Sequence, residues 1–227
     1  PTPTLSPYMQ AQAAAPLLSL QPEASFRRRQ TEAVYTAPSE NAYRVGNAQT
    51  DTDENLEVYG ITEDGGLIAP ADGHLTALAL EYGVQPLLHL STLTAAGAFS
   101  AAQAAALLRD PALQQTLAAN VLQTMLEKGY EGLDVDFEYL GRDLAEPYAA
   151  FIQLLRDTLA PYGLPLITAL APKTSAAQPG TLYEGHNYAS LSTASDAVLL
   201  MTYEWGYTYG PPMAVAPVGA VRRVVEF

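Results

Sequence analysis

The chain has 227 residues, room for one large domain or two small ones, and 48% of them are hydrophobic, enough for a full core. Its 24 acidic residues against 11 basic ones give a net charge of −13, which leaves no basic footprint for a nucleic-acid backbone; Arg27-Arg28-Arg29 is too short to change that and reads as a solvated loop. There is no cysteine, so disulfides and thiolate metal sites are excluded, and no apolar run approaches the ~18 residues of a membrane span.

Residues 1–54 are rich in Pro, Ala, Ser, Gln and Thr with no sustained period, and read as an irregular or linker-like segment. The first residue is Pro1, and no charged-then-apolar leader follows. The start therefore reads as a fragment boundary, with any export signal already removed. From residue 55 the pattern becomes regular. Residues 56–61 predict a short strand, Asp64-Gly65-Gly66 a tight turn, and residues 71–82 a helix ended by Gly83. Residues 84–91 read as a buried strand. Ser100 then caps a helix over 101–109, and Asp110-Pro111 opens a second over 111–128, stopped by Gly129, with Leu113, Leu117, Val121 and Met125 on one stripe. A strand over 132–140 is followed by a helix over 147–159, carrying Tyr148, Ile152, Leu155 and Leu159. Strands over 165–171 and 197–203 come next, and a last helix opens at Pro217. His74, His89 and His186 are scattered and read as packed or surface residues, so no metal site is assigned.

The strand over 132–140 carries the chemistry. Asp134, Asp136 and Glu138 recur with period two, which places all three carboxylates on one face, while Leu133, Val135 and Phe137 fill the other. An antiparallel strand with one face in water alternates in the same way. The flanking helices favour instead a parallel α/β sheet, in which the apolar face packs on helices and the carboxylates point into a barrel lumen, with Glu138 at the C-terminal end where such barrels carry their chemistry. Five strands from residue 55 onward fall short of the eight of a closed barrel. The fold class expected is α/β, a (β/α)8 TIM barrel that is incomplete in this chain, occupying residues 55–227.

Glu131-Gly132-Leu133-Asp134-Val135-Asp136-Phe137-Glu138 resembles the Asp-Gly-x-Asp-x-Asp-x-Glu signature of the family-18 glycoside hydrolases, the chitinase family, with Glu131 in place of the first Asp. Met201-Thr202-Tyr203-Glu204-Trp205 is similar to the family's Met-x-Tyr-Asp stretch, with Glu204 in place of Asp. Ala171-Pro172-Lys173-Thr174, Tyr183-Glu184-Gly185-His186 and Tyr203-Glu204-Trp205-Gly206-Tyr207 resemble the bacterial branch that acts on spore cortex fragments, N-acetylglucosaminidases often joined to lysin-motif wall-binding modules. The resemblance covers about residues 56–227. It places strands seven and eight beyond Phe227 and leaves the first strand unrecognisable, so a chain of this length is expected to be weakly active or inactive, and prone to aggregate, until those strands are added.

The resemblance implies hydrolysis of β-1,4 bonds in an N-acetylglucosamine-containing polysaccharide by substrate assistance, in which the sugar's own acetamide oxygen attacks the anomeric carbon. Glu138 is then the acid, Asp136 accepts the acetamide N–H, Asp134 shares a proton with Asp136, and Tyr203 donates to the acetamide oxygen. Glu204, Tyr139, Trp205, Tyr59 and Lys173 are candidate substrate-binding residues. No cofactor, nucleic acid or membrane span is implied. The setting is extracellular, at a cell wall or spore, and the protein is a monomer where the barrel is complete. Chitin is the alternative substrate. Binding of carbohydrate without catalysis is a rival class, disfavoured because the acid is present. A divalent cation held by the three carboxylates is another, disfavoured because ligands two apart on one strand rarely surround an ion.

Overall fold

A computed structural model describes residues 58–70, 72–94, 98–206 and 209–227, so the expectation for residues 1–54, and the parts of other expectations that fall on residues 56, 57, 71 and 207, lie outside what is described here. In chain order the elements are strands β1 (Gly60–Ile61) and β2 (Leu67–Ile68), helix α1 (Gly73–Glu81), β3 (Leu87–Ser91), α2 (Ala101–Arg109), α3 (Pro111–Lys128), β4 (Gly132–Asp136), α4 (Ala145–Leu159), β5 (Leu166–Leu170), short helices α5 (Thr181–Glu184) and α6 (Tyr188–Ala194), β6 (Ala197–Leu200) and α7 (Val218–Val225).

Four strands form one parallel sheet in the order β3-β4-β5-β6, each consecutive pair joined through helices. Parallel neighbours need such crossovers, and the helices cover one face of the sheet. β1 and β2 form a small antiparallel hairpin, and Tyr59 extends the main sheet by a parallel bridge to Leu90. This is part of an α/β barrel wall. The helix boundaries follow local chemistry. Ser100 Oγ accepts from the Gln103 N–H at 3.2 Å, and Asp110 Oδ1 accepts from the N–H groups of Ala112 and Leu113, satisfying donors that have no partner within the first turn. Gly129 ends α3 at φ 77°, a conformation that favours glycine, and its N–H returns to the Met125 carbonyl at 3.0 Å.

Two apolar layers flank the sheet. On the helix side Leu133, Val135 and Phe137 pack with Leu88, Leu90, Leu117, Val121, Met125, Tyr148, Ile152 and Leu155, all buried. On the opposite side a smaller cluster of Leu87, Ile167, Ala169 and Leu199 lines the lumen face. The parallel register sets the two faces, because partners on adjacent strands point the same way. His89 pairs with Asp134 and Asp134 with Ile167; Ser91 pairs with Asp136; Ala169 pairs with Leu199.

Every strand read from the sequence is shorter than expected: β1 begins only at Gly60, β3 at Leu87, and β5 is trimmed by one residue at each end. The acidic strand ends at Asp136, two residues before Glu138, and the strand expected over 197–203 ends at Leu200. Side-chain alternation persists past the last ladder hydrogen bond, so it overshoots the ends. Among the described residues no helix is long and apolar enough to cross a membrane.

Candidate active site

The acids form a gradient of exposure along one line. Asp134 is fully buried, Asp136 is 4% exposed, and Glu138 is half-buried at the C-terminal rim of the sheet. That is the face and the end expected from the spacing. After Glu138 the backbone turns sharply, for Tyr139 has φ 57°, unusual for a non-glycine residue. The turn swings Tyr139 outward, 46% exposed, where its ring meets Phe99 edge-on with centroids 6.0 Å apart. The two rings form an apolar patch beside the acid. Phe99 carried no signal in the sequence, since it belongs to a loop with no period.

Across the sheet, Val135, Thr168 and Val198 share one level of the register, and the chain leaves β6 after Leu200 at the C-terminal end of the sheet, the end at which Glu138 stands. Tyr203 lies on the loop after β6, and Glu204 follows it at φ 59° and is solvent-exposed. Trp205 is half-buried, its backbone N–H donating to the Val215 carbonyl at 3.2 Å.

Two candidates are not brought to the acids. Tyr59 is 1% exposed and faces the helix layer, where its hydroxyl donates to Asp72 Oδ2 at 2.5 Å. Asp72 also accepts from Tyr130 and, at 2.6 Å, from Lys128 Nζ. Burial raises the Asp72 carboxyl, but the bonds from Lys128, Tyr130 and Tyr59 outweigh it, so its pKa falls below the ordinary carboxylate value. Tyr130 precedes β4 and Lys128 ends α3, so this cluster braces the N-terminal end of the sheet, away from the acids. Lys173 is 4% exposed, and its ammonium donates to the His186 carbonyl at 2.8 Å and lies over the Tyr188 ring. It lines a cavity of about 720 Å³ with Arg142, Glu146 and Glu184 on the helix side of β5.

Two histidines read from the sequence as packed or surface residues sit against the site. His89, 2% exposed, places Nδ1 2.8 Å from Asp134 Oδ2 and Nε2 3.8 Å from Asp136 Oδ2. The expected proton shared by Asp134 and Asp136 therefore has a competitor that the acidic run alone could not reveal. The usable signal was a polar ring inside the buried strand 84–91, two residues before Ser91 and thus on the same face. His186 is fully buried, and its Nε2–H donates to the Phe137 carbonyl at 2.9 Å while Nδ1 accepts the Ala171 N–H at 2.8 Å. Both ring nitrogens are used, which fixes the neutral tautomer and ties the ends of β4 and β5 together directly beneath Glu138. Burial lowers the His186 pKa to about 4. Gly185 permits the approach, since a Cβ there would lie 2.3 Å from that of Leu140. Tyr148 stacks on Phe137 at 5.5 Å and completes the support; burial, then the Asp136 charge, raises its hydroxyl pKa and keeps it protonated.

No family model matches the chain. A cortical fragment-lytic enzyme of Bacillus subtilis is 38% identical over 164 residues, 72% of this chain and 38% of that protein. The chain thus spans little more than a third of the length of that curated relative. The crystal structure of the Bacillus megaterium spore cortex-lytic enzyme SleL superimposes with a TM-score of 0.71 at 33% identity, covering 92% of this chain and 44% of that one. A chitinase from Chromobacterium violaceum superimposes at 0.68 with 23% identity, covering 74% and 54%, which is a likeness of fold. Over the part it spans, the chain is a homologue of the cortical fragment-lytic enzymes, built on a barrel fold that chitinases also use.

Proposed function

We propose that the protein is a glycosidase that cleaves β-1,4 bonds in the N-acetylglucosamine-containing glycan of spore cortex peptidoglycan, retaining anomeric configuration by substrate assistance. The observation that carries this reading is the graded row Asp134, Asp136, Glu138, aligned on the lumen face and rising from full burial to the accessible rim of a parallel sheet. Only Glu138 is placed to meet a glycosidic oxygen arriving from solvent, so it serves as proton donor. Asp136, one layer deeper, accepts the acetamide N–H and stabilises the positive charge that develops as the acetamide oxygen closes on the anomeric carbon. Tyr203 donates to that oxygen, and Glu204 and Trp205 support the sugar. The Tyr139–Phe99 patch offers apolar surface to a sugar's C–H face. The relatives' printed names support the cortex as substrate. They also support a spore-associated setting. That the protein acts as a monomer when its barrel is closed is part of the same proposal.

The test is a digest of purified cortex fragments and, in parallel, of chitin oligomers, read by mass spectrometry. Release of N-acetylglucosamine-terminated products from cortex supports the reading. Cleavage of chitin alone moves the substrate to chitin. Binding to either polymer without any product would make the protein a carbohydrate-binding relative.

A further inference from the structure

We propose that His89 is a positioning residue for this reaction, its imidazole bridging the two inner carboxylates from the neighbouring strand. The inference rests on the functional reading above and adds a residue to it. The geometry is set by the backbone. His89 pairs with Asp134 in the β3–β4 register, and partners in a parallel ladder project to the same side, so the ring stands beside the acidic row rather than across from it. Nδ1 reaches Asp134 Oδ2 at hydrogen-bond distance, 2.8 Å, and the far nitrogen faces Asp136 Oδ2 at 3.8 Å. All three groups are nearly devoid of solvent contact.

Three acids on one strand face repel one another, and repulsion is strongest where water is excluded. An ionised carboxylate can only accept hydrogen bonds, so the Asp134 contact places a proton on Nδ1. The imidazole then does two things that the acids cannot do for themselves. It fixes the rotamer of Asp134, which would otherwise turn away from its neighbour, and it turns Nε2, the acceptor nitrogen of a ring protonated on Nδ1, toward Asp136, so that the group beside Asp136 is an uncharged ring rather than a third negative one. Asp136 is left aligned along the row toward Glu138, the orientation in which it can take the acetamide N–H. His89 itself touches no reacting atom; it acts through the two aspartates.

The test uses the full chain and three variants. His89→Leu fills the volume without a polar contact. His89→Asn places its amide nitrogen near the Nδ1 position, keeping the bond to Asp134 alone. Asp134→Asn removes the acceptor. With cortex fragments or N-acetylglucosamine oligomers, His89→Leu should lower kcat by about ten- to a hundredfold with KM nearly unchanged, the cost of a misaligned but still binding site, and His89→Asn should recover part of that loss. The second readout needs no activity. With only three histidines, the ¹⁵N resonances of the imidazoles are assignable, and those of His89 should show a protonated Nδ1 in the wild type and change on Asp134→Asn, while those of His74 and His186 stay fixed. A His89→Leu variant with wild-type kcat, a loss confined to KM, no recovery with Asn, or His89 resonances indifferent to Asp134→Asn each overturns the inference. A wild-type chain that neither hydrolyses the glycan nor binds a thiazoline analogue of it overturns the functional reading, and this inference with it. A wild-type chain that does both, with a His89→Leu variant that does them equally well, overturns this inference alone.

Discussion

Glu138 differs from Asp134 and Asp136 in one respect that decides its role: it can be reached. A proton donor must meet the leaving oxygen at hydrogen-bond distance, and of the three acids only Glu138 lies at the rim, with the other two 4% exposed or less. Glu138→Gln keeps the side chain's shape and removes the proton. We therefore expect hydrolysis to fall by roughly 10²–10⁴-fold while the glycan still binds, checked by turnover and by calorimetric titration of the same variant. More than about a tenth of wild-type turnover in that variant would reassign the acid, since acid catalysis contributes at least two orders of magnitude. His186 belongs to the same scale but to stability. Its pKa falls from 6.5 to about 4 because the ring is buried, with the nearby Lys173 charge adding to the effect and the bond to the Phe137 carbonyl opposing it. The unfolded chain binds a proton near the ordinary histidine value, whereas the folded chain refuses it until about pH 4, so between those values the unfolded state holds more protons and stability falls as pH falls. The full contribution is present above pH 6.5 and amounts to about 3 kcal/mol on complete loss. His186→Gln, which retains a donor for the Phe137 carbonyl and does not titrate, should be less stable at pH 7 and should lose less melting temperature between pH 6.5 and pH 4.5 than the wild type. Parallel curves for the two proteins would sink this assignment.

The elements show which signals in a sequence are local and which are not. The helices over 101–109 and 111–128 stand at the boundaries read from the chain, because each end is written in a residue that satisfies the backbone there: Ser100, Asp110 and Gly129. Asp110→Ala leaves the first N–H groups of α3 without their side-chain acceptor and should cost about 1 kcal/mol, measured by denaturant unfolding, with activity unchanged. A cost near zero would mean that water replaces the cap. The face of the acidic strand was equally legible, since Leu133, Val135 and Phe137 are all fully buried against the helices. Strand ends were not, because a ladder stops where its partner leaves and the partner is remote in sequence. The hairpin strand β2 and the short helices α5 and α6 were missed for a related reason: two, four and seven residues carry too little period to register. Register itself was the larger omission. His89 lies 45 positions from Asp134, and only the pairing of β3 with β4 brings them together. Tyr59 and Lys173 lie apart from the acids for the converse reason, since an aromatic or a cation in a matching stretch says nothing about which side of the sheet it faces.

At the scale of the molecule the sheet separates two jobs. Its helix side and N-terminal end hold the fold, through the large apolar layer and the Asp72 cluster, while its lumen side and C-terminal rim hold the candidate chemistry. This division makes a separable prediction about ligands. On the proposed mechanism a thiazoline that mimics the cyclised acetamide contacts Asp136 and Tyr203, which only the folded chain brings together, so it binds the native state alone. At a hundredfold excess over its Kd such a ligand adds about 2.7 kcal/mol to unfolding. In a chain of this size that raises the melting temperature by roughly 5–10 °C. Glu138→Gln should keep the shift, because the acid gives its proton to the leaving oxygen and the cyclised mimic has no leaving group. Asp136→Asn should lose most of it, because the amide turns an acceptor toward an acetamide-derived N–H only half of the time and brings no charge to the cation. A melting scan of the three proteins with and without the compound separates these cases. Intact-mass detection of a glycosyl group bonded to any carboxylate during turnover would point instead to a protein nucleophile, and an equal shift in Asp136→Asn would mean that the acetamide is held elsewhere along the rim.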